Sequence, residues 1–423
     1  MKNCFSVFIF ILFFGSNSFS QNMSYDPDLW LPDTIHIALG NTVELYNNNI
    51  AFIKHNDTTL HFSWRHSRGS SDSKKFYWTT NQLGNVNLSI RCIYKGNAVD
   101  SAKTILKVVN KINPGDKNLI AIGNSLTQGG FLYFYPQIIS DLNFQVHPFG
   151  TQGTTYKHEG RPGWTFAAFL DNNSPFYIGN RINFKKYVED NSFPIPDIIR
   201  ISLGINDVFI EGYTVENILL NVFTLIDSIN QNYPNSLIII ALPTLCESTG
   251  VGWIASYGNL DNFEPYQLKM REFWKKLYAK YSYGKYKRNI QLSFDGLFID
   301  REDGYPTYNG LHPVELGYLQ LIRGFTNSLN YYINKVGKTN IDTPTTNFPF
   351  KIFPNPIHDY FIIESDEIVP EEVSLYNAMG QLVLSEKNNN KRVTVITKFL
   401  GKGLYVCNIK IGQKHYSRKI YKI

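Results

Sequence analysis

The sequence predicts a three-layer α/β fold with a mostly parallel sheet, preceded by an N-terminal β sandwich and followed by short β segments. Between residues 114 and 336, compact apolar runs suited to strands buried on both faces alternate with amphipathic segments of helical spacing. On either side of this region, apolar and polar residues alternate with the period of two that half-buried strands require. The chain of 423 residues is long enough for two or three domains.

The overall composition narrows the classes of partner. The formal net charge is +6, and no block of five or six like charges occurs, which argues against a nucleic-acid partner. The 4 cysteines are scattered without metal-ligand spacing, so neither a disulfide framework nor a metal site is predicted. Aromatic residues make up 15% of the chain, which suits stacking on sugar rings, although most of these side chains are expected in cores.

Residues 1–20 are predicted to be a secretory signal peptide. A short basic start precedes an apolar run from Phe5 to Phe14, and the small residues Ser18 and Ser20 precede a cleavage site before Gln21. The run is too short to span a bilayer, and no other stretch is apolar for long enough. We therefore expect an exported, soluble mature protein without a transmembrane segment.

Residues 22–112 are predicted to form an all-β domain, an immunoglobulin-like sandwich. The segments DTIHIALGNTVELY and VNLSIRCIYKGNAVDSAKTILKVV alternate apolar and polar residues and are rich in Val, Ile and Thr. Turns that contain Asn and Gly separate the strands. The fold by itself predicts no function.

Residues 114–336 carry the alternation of strands and helices. The runs NLIAIG, FQVHPFG, DIIRISLG and SLIIIALP are typical of strands buried on both faces. Residues 215–232, 264–282 and 315–335 are predicted helices, because their apolar residues recur at helical spacing. Strands that alternate with helices of this length predict a mostly parallel sheet covered by helices.

Functional side chains of an open α/β sheet collect beyond the carboxyl ends of its strands. One serine, one glycine-rich loop, one asparagine and one histidine occupy such places, at Ser125, Gly163, Asn206 and His312. This set meets the needs of acyl transfer, in which a histidine takes the proton of a serine nucleophile and N–H donors stabilise the oxyanion. The donors are the N–H groups of Ser125 and Gly163 and the side chain of Asn206. Taken alone, Ser125 also fits an ordinary helix cap.

Four sequence blocks in this order resemble the SGNH (GDSL-type) hydrolase superfamily of esterases. GNSLT is similar to its first block, Gly163 of RPGWT to its second, GIND to its third and HPVELGY to its fifth. The resemblance covers roughly residues 117–336. It implies an α/β hydrolase fold, Ser125 as nucleophile and His312 as base, with no cofactor.

Two positions depart from the usual pattern of that superfamily. Its first block usually reads Gly-Asp-Ser, where this chain has Asn124; that aspartate is not the triad acid, so we expect little loss of activity. Its histidine usually follows an aspartate by three residues, where this chain has Asn309, whose carbonyl can orient the histidine but offers no negative charge. Asp303, or else Asp300 or Glu302, is the alternative acid from the preceding loop. Some members of the superfamily are thought to work as Ser-His dyads.

The loop before Gly163 supplies candidate substrate contacts. Arg161 and Trp164 are predicted to line the pocket for the acyl group or the sugar; the alternative is that Arg161 pairs with Glu159 and holds the loop in shape. Trp253, which lies among glycines, is a further candidate for an exposed ligand contact.

A polar segment bearing Thr and Pro, residues 337–348, predicts a linker to residues 349–423. That final segment resembles the type A sorting domain of the type IX secretion system, through FPNP, LYNAMGQLV and GKGLYVCNIKIGQ. The resemblance implies a small C-terminal β sandwich, the secretion machinery as a partner, and a cargo that is secreted or attached to the cell surface.

The predicted function is a secreted or surface-displayed serine esterase acting on short acyl esters, above all acetyl esters of polysaccharide. The export route, the appended sandwich and the aromatic content favour this substrate by analogy only. Two alternatives are an exported lipolytic or aryl esterase and a catalytically silent surface protein that binds glycan. The residue that favours the silent protein is Asn309.

Overall fold

The structure, a computed structural model, describes residues 25–210, 212–282, 286–336, 350–365, 368–377, 381–412 and 414–422. The predicted signal peptide and the predicted linker lie outside the described residues. The chain divides into two compact units, Met1–Gly337 and Lys338–Ile423. Among the described helices, none combines the length and the apolar character needed to cross a bilayer.

The first unit begins with a β-rich region. Its elements in chain order are β1 (Thr34–Ala38), β2 (Thr42–Tyr46), α1 (Asn47–Ile50), β3 (Leu60–Arg65), β4 (Ser70–Ser71), β5 (Lys75–Thr79), β6 (Gly84–Tyr94) and β7 (Asn97–Val109). They form sheets of order β1-β7-β6-β3 and β2-β5-β4, antiparallel except for the pair β1-β7. Along β6, every second side chain from Val86 to Cys92 is buried, which gives the sheet one core face.

An α/β region completes the first unit. Its strands are β8 (Lys117–Gly123), β9 (Val146–Phe149), β10 (Glu159–Gly160), β11 (Ile198–Ser202), β12 (Leu237–Ala241) and β13 (Ile290–Ser293). Its helices are α2 (Ser125–Asp141), α3 (Phe166–Leu170), α4 (Phe184–Asp190), α5 (Ile205–Phe209), α6 (Val215–Asn232), α7 (Val251–Tyr257), α8 (Phe263–Tyr281) and α9 (Glu315–Val336). The three helices expected near residues 215–335 are therefore confirmed.

The strands of this region form one parallel sheet of order β10-β8-β11-β12-β13, and β9 also pairs with β8. The predicted mostly parallel sheet with helices is confirmed. All residues of β12 and β13 are buried, as expected of parallel strands covered on both faces. Helix α6 has the features that made it predictable from the sequence. Thr214 and Asn217 form a capping box, and an apolar stripe from Val215 to Ile229 is buried.

The second unit is β-rich. Its strands are β14 (Lys351–Phe353), β15 (Tyr360–Glu364), β16 (Glu372–Asn377), β17 (Leu382–Lys387), β18 (Arg392–Ile396), β19 (Gly403–Ile411) and β20 (Lys414–Lys422). They pair antiparallel in sheets of order β14-β15-β18 and β17-β16-β19-β20. Its core includes Phe361, Val373, Leu375 and Ile409, all fully buried.

Hydrogen bonds tie the β-rich region of the first unit to the α/β region. The side-chain amide of Asn49 on α1 donates to the carbonyls of Ile299 (2.7 Å) and Leu297 (3.2 Å). In return, the buried guanidinium of Arg271 on α8 donates to the carbonyls of Asn49 (2.8 Å) and Ile50 (2.7 Å). Buried apolar side chains of both regions belong to one core cluster.

A buried ion pair crosses the middle of the parallel sheet. Arg200 on β11 donates to the carboxylate of Asp295, after β13, at 2.7 Å, with side chains 2% and 3% exposed. The guanidinium also lies over the rings of Phe134 and Phe325. Removing one partner of such a pair leaves a buried charge without its counter-charge, whereas removing both partners does not.

We expect Arg200→Met to lower the free energy of unfolding by about 3–5 kcal/mol, because Asp295 loses its counter-charge. The double variant Arg200→Met/Asp295→Leu should recover most of this loss. Denaturant unfolding followed by tryptophan fluorescence measures it, since all 6 tryptophans lie between Trp30 and Trp274 and report on the first unit.

The control is Lys186→Met, which breaks an exposed pair with Asp190 and should leave the free energy of unfolding nearly unchanged. Equal losses in the single and double variants would show that the pair is not the source of the effect.

Candidate active site

The carboxyl ends of three parallel strands meet in register. Gly123, the last residue of β8, pairs with Ser202 at the end of β11 and with Gly160 at the end of β10. The segments that follow these strands carry Ser125, Asn206 and Gly163, respectively. The sheet therefore brings three predicted site residues to one edge, as parallel strand ends require.

Ser125 is the first residue of α2, and the cap of this helix is Asn124. The Asn124 side chain accepts the N–H of Leu126 at 3.0 Å and is buried. The interpretation of Ser125 as a helix cap is therefore wrong, since the preceding residue does that work. The hydroxyl of Ser125 is half-buried, and its N–H lies in the first helical turn, whose N–H groups have no acceptor within the helix.

The loop that carries Gly163 approaches the start of α2 closely. A Cβ on Gly160 would lie 2.5 Å from the backbone nitrogen of Gln128, so a larger residue would push the loop away from Ser125. Gly163 itself has φ +77 in a turn closed by the N–H of Trp164 and the carbonyl of Arg161 (3.1 Å). Glycine adopts that conformation without strain.

Helix α5 holds this loop in place. The amide of Asn206 donates to the carbonyl of Trp164 at 3.0 Å. A side-chain amide has two N–H groups, so this bond leaves a second donor for a ligand. The neighbouring Asp207 accepts the N–H of Phe166 at 2.9 Å and is fully buried.

Arg161 and Trp164 contact each other and the loop. Arg161 forms an ion pair of 2.8 Å with the buried carboxylate of Glu159, and its side chain is 19% exposed. Its guanidinium lies 5.0 Å from the ring centre of Trp164. The carboxylate of Glu159 also accepts the hydroxyl of Tyr187 and the N–H of Thr151. These contacts match the loop-bracing interpretation; contact of Arg161 or Trp164 with substrate stays a prediction.

The histidine of the predicted pair reaches the serine from the far end of the region. Nε2 of His312 lies 2.9 Å from Oγ of Ser125, although 187 residues separate them in sequence. Nδ1 of His312 lies 3.3 Å from Oδ1 of Asn309. Two predicted partners and the predicted orienting residue thus form one chain of contacts.

The backbone fixes which atom of Asn309 faces the imidazole. Its Oδ1 accepts the N–H groups of Leu311 and His312, both at 2.9 Å, and an NH₂ group in that position would face two donors. Nδ1 therefore carries the proton, and Nε2 is the acceptor that faces Oγ of Ser125. Burial lowers the pKa of His312, which keeps the imidazole neutral at neutral pH.

The alternative acids lie elsewhere in the preceding loop. Asp300 accepts the backbone N–H groups of Glu302 and Asp303, and Glu302 pairs with Lys74 at 2.5 Å. The side chain of Asp303 is exposed. Within the described residues, the atom at Nδ1 of the histidine is thus an amide oxygen and not a carboxylate.

Helix α7 supports the histidine loop, and the sequence did not reveal this role. The expectation of an exposed Trp253 is wrong: the side chain is 1% exposed and stacks on Phe209. A Cβ on Gly310 would lie 2.8 Å from the backbone of Trp253, so helix and loop are in close contact. The buried carboxylate of Glu247 accepts the N–H of Trp253 (3.1 Å). An acidic residue just ahead of a helix is the sequence signal for such an anchor.

The site thus contains a serine hydroxyl bonded to a neutral imidazole, at the edge of the sheet from which the segments with Gly163 and Asn206 also start. Among the described residues, no group of three or more His, Cys, Asp or Glu side chains is placed to hold a metal ion.

Comparison with known families identifies the end of the chain. Residues 351–422 match the model of the secretion system C-terminal sorting domain, which confirms the predicted sorting domain and indicates handling by a secretion system. No curated protein matches the chain.

Similar solved structures cover about half of the chain. A carbohydrate esterase family 3 protein from Talaromyces cellulolyticus has 16% identity and a TM-score of 0.36, over 52% of this chain and 99% of that one. A GDSL-like lipase from Bacteroides thetaiotaomicron VPI-5482 has 16% identity and a TM-score of 0.33, over 52% and 88%. Likenesses this distant carry no argument about activity.

The buried carboxyl of Asp207 predicts a pH-dependent stability. Burial raises its pKa to about 7, against the hydrogen bond from Phe166, and its Oδ2 has no hydrogen-bond partner among the described residues. The folded state therefore binds this proton more tightly than the unfolded state, and stability falls as the pH rises from about 4 towards 7.

The side chain of the variant Asp207→Asn cannot ionise, so the stability of this variant should not show this fall with rising pH. Between pH 5 and pH 8, the unfolding free energy of the variant should gain roughly 2–3 kcal/mol relative to the unchanged protein. Denaturant unfolding at both pH values measures the difference, with Asp261→Asn as the exposed control. The same pH dependence in both variants would contradict the assignment.

Proposed function

We propose that the chain is a secreted or surface-displayed serine esterase of the SGNH type that hydrolyses short acyl esters, above all acetyl esters, on polysaccharide. The observation that carries the proposal is the 2.9 Å contact between Oγ of Ser125 and Nε2 of His312. A hydroxyl becomes a competent nucleophile when a neutral imidazole can take its proton.

The reaction follows from this contact. Oγ of Ser125 attacks the ester carbonyl as its proton passes to Nε2 of His312, and the carbonyl π electrons move to the oxygen. The intermediate collapses, the alcohol leaves with the proton from Nε2, and the acyl group stays on Ser125. Water, deprotonated by His312, then attacks the acyl carbon; the bond from that carbon to Oγ breaks, Nε2 returns the proton to Oγ, and the acid is released. No cofactor enters either half of the reaction.

The oxyanion is held by donors from three loops. The N–H of Ser125 belongs to the first turn of α2, where the helix dipole also favours negative charge. Gly163 contributes its N–H, and Asn206 the amide hydrogen not bonded to Trp164.

The sorting domain and the predicted signal peptide support an exported substrate, and polysaccharide is the polymer we assign by analogy. One feature favours the lipolytic alternative. Helix α7, which supports the histidine loop, exposes Val251, Ile254 and Tyr257 by 53%, 43% and 44%. An apolar ridge next to the site would accept a long acyl chain.

Hydrolysis of p-nitrophenyl esters from acetate to octanoate tests the proposal. Turnover should be highest on acetate, and Ser125→Ala and His312→Ala should each lower kcat/KM by at least about 10³-fold, because each removes one half of the proton-transfer pair. Ser228→Ala on α6 is the matched control and should leave the rate unchanged.

The outcomes separate the candidates. A rate that rises with chain length would replace the short-acyl assignment by the lipolytic one. Absence of turnover in every form, with polysaccharide binding that Ser125→Ala leaves intact, would contradict an esterase and indicate a silent glycan-binding protein.

The amide at Nδ1 of His312 predicts the pH profile. Because burial lowers the pKa of His312, kcat/KM should rise with pH through a midpoint below the ordinary histidine value of about 6.5 and then stay level. In Asn309→Asp, a carboxylate favours the imidazolium, so the midpoint should move up by about one pH unit or more. The plateau should rise by roughly 10-fold, a part of the 10⁴ that the reverse change costs a serine protease.

Asn309→Ala is the control for orientation. It removes the acceptor of two backbone N–H groups and of Nδ1, so activity should fall without an upward move of the midpoint. An unchanged midpoint in Asn309→Asp would show that residue 309 does not act on the histidine during catalysis.

A further inference from the structure

A groove of about 800 Å³ lies over the sheet β1-β7-β6-β3 of the first unit. Its lining includes the basic and polar side chains of Arg65, His66, Asn87, Ser89 and Lys103. None of the candidate active-site residues is among those that line it. Its volume is in the range of sites that bind small organic ligands.

Strand pairing aligns the side chains of this groove in rows. Ser89 on β6 pairs with Arg65 on β3 and with Lys103 on β7, so two cations flank one hydroxyl. Two strand spacings, about 10 Å, separate the backbones of these cations. Asn87 is the next exposed position of β6, while Thr104 between the open positions of β7 is buried. Because of this alternation, the row of cations lies on the solvent-exposed face of the sheet.

The groove has one acidic residue in its lining, Asp33, against the cations Arg65 and Lys103. Among the described residues, no carboxylate forms an ion pair with Arg65, Lys103 or Lys107; the carboxylate of Glu44 instead pairs with Lys75 and Arg323. Burial lowers the pKa of His36 to about 3, and the charges of Lys107 and Lys335 add to this shift.

A second hollow of about 350 Å³ continues the groove, because Asp33 and Ile105 line both. Lys107 and the ring of Tyr331 belong to this part. The ring of Tyr331 is already stacked on His36, with centroids 3.5 Å apart. The groove therefore offers cations, amides and hydroxyls beside the single carboxylate of Asp33, and the ring of Tyr331 forms part of its wall.

We propose that this groove binds an anionic polysaccharide, whose carboxylates pair with Arg65 and Lys103 and whose hydroxyls bond to Asn87 and Ser89. The assignment is independent of the esterase activity. Guanidinium and ammonium groups are the usual partners of carboxylates, and unpaired surface cations attract polyanions. A single-stranded nucleic acid binds on exposed aromatic stacking platforms as well as cations, and Phe294, Tyr331 and Tyr332, which line the second hollow, are buried.

Binding is tested on the full chain carrying Ser125→Ala, so that no ester is cleaved. The probes are polygalacturonate and its fully methyl-esterified form, which share one sugar backbone and differ in charge. Retardation in gels that contain each polymer gives the affinity. We expect binding to polygalacturonate, at most weak binding to the ester, and a loss on the order of 10-fold in Arg65→Ala/Lys103→Ala.

The charge-matched control is Arg181→Ala/Lys185→Ala, which removes two cations from exposed positions of the α/β region and should keep full affinity. Equal binding of both polymers, unchanged affinity in Arg65→Ala/Lys103→Ala, or tighter binding of single-stranded DNA than of polygalacturonate would each overturn the proposal. With Ser125 intact, Arg65→Ala/Lys103→Ala should hydrolyse p-nitrophenyl acetate at the unchanged rate. A protein without esterase activity would still give the binding result, so the two proposals fail separately.

Discussion

The register of the parallel sheet at Gly123 is the constraint on which the rest of the site depends. Gly160 and Ser202 are both paired to this residue, so the loops after three strands start from one line. A slip of one strand would carry its loop away from the other two and turn buried side chains towards the wrong layer. The fully buried isoleucines of β11 and β12 hold the register, since any other pairing leaves them badly packed.

The β-rich region of the first unit also helps to hold the loop that carries His312. Arg301 donates to the carbonyls of Asn48 in that region and of Cys246 after β12. The carbonyl of Gly310, two residues before His312, accepts the N–H of Glu247. The loop that presents the imidazole is therefore anchored on segments that the β-rich region and α8 also hold. A shared core and these bonds make the β-rich region part of the support of the proposed catalytic pair.

Much of this arrangement could be predicted from the sequence. The features that could not be predicted depend on contacts that form only in the folded chain. Helices α6, α8 and α9 carry local apolar stripes, and Ser125 and Asn206 closely follow strands, so short-range patterns located them. His312 was located by the block HPVELGY just ahead of α9. The sequence did not predict that Asn124 caps α2 or that Trp253 is buried, because both features depend on packing. The bond between Arg271 and Asn49 spans 222 residues and leaves no local pattern. The sequence likewise could not decide among Asp303 and Asn309, because only the folded loop shows which oxygen faces Nδ1.

In the proposed reaction, the charge balance at Ser125 and His312 explains how an amide can stand where a carboxylate is usual. An aspartate would do two things: fix the tautomer and oppose the charge of the imidazolium. Asn309 does the first, because two backbone N–H groups lock its carbonyl towards Nδ1. The second task falls to the oxyanion itself, which is negative when the imidazolium is positive and lies near it. In a half-buried site this mutual attraction is strong, and the start of α2 holds the oxyanion in place. With an amide at Nδ1 the imidazolium is the stronger acid, so in the proposed reaction the missing carboxylate weakens removal of the proton from Ser125 and not its delivery to the leaving alcohol.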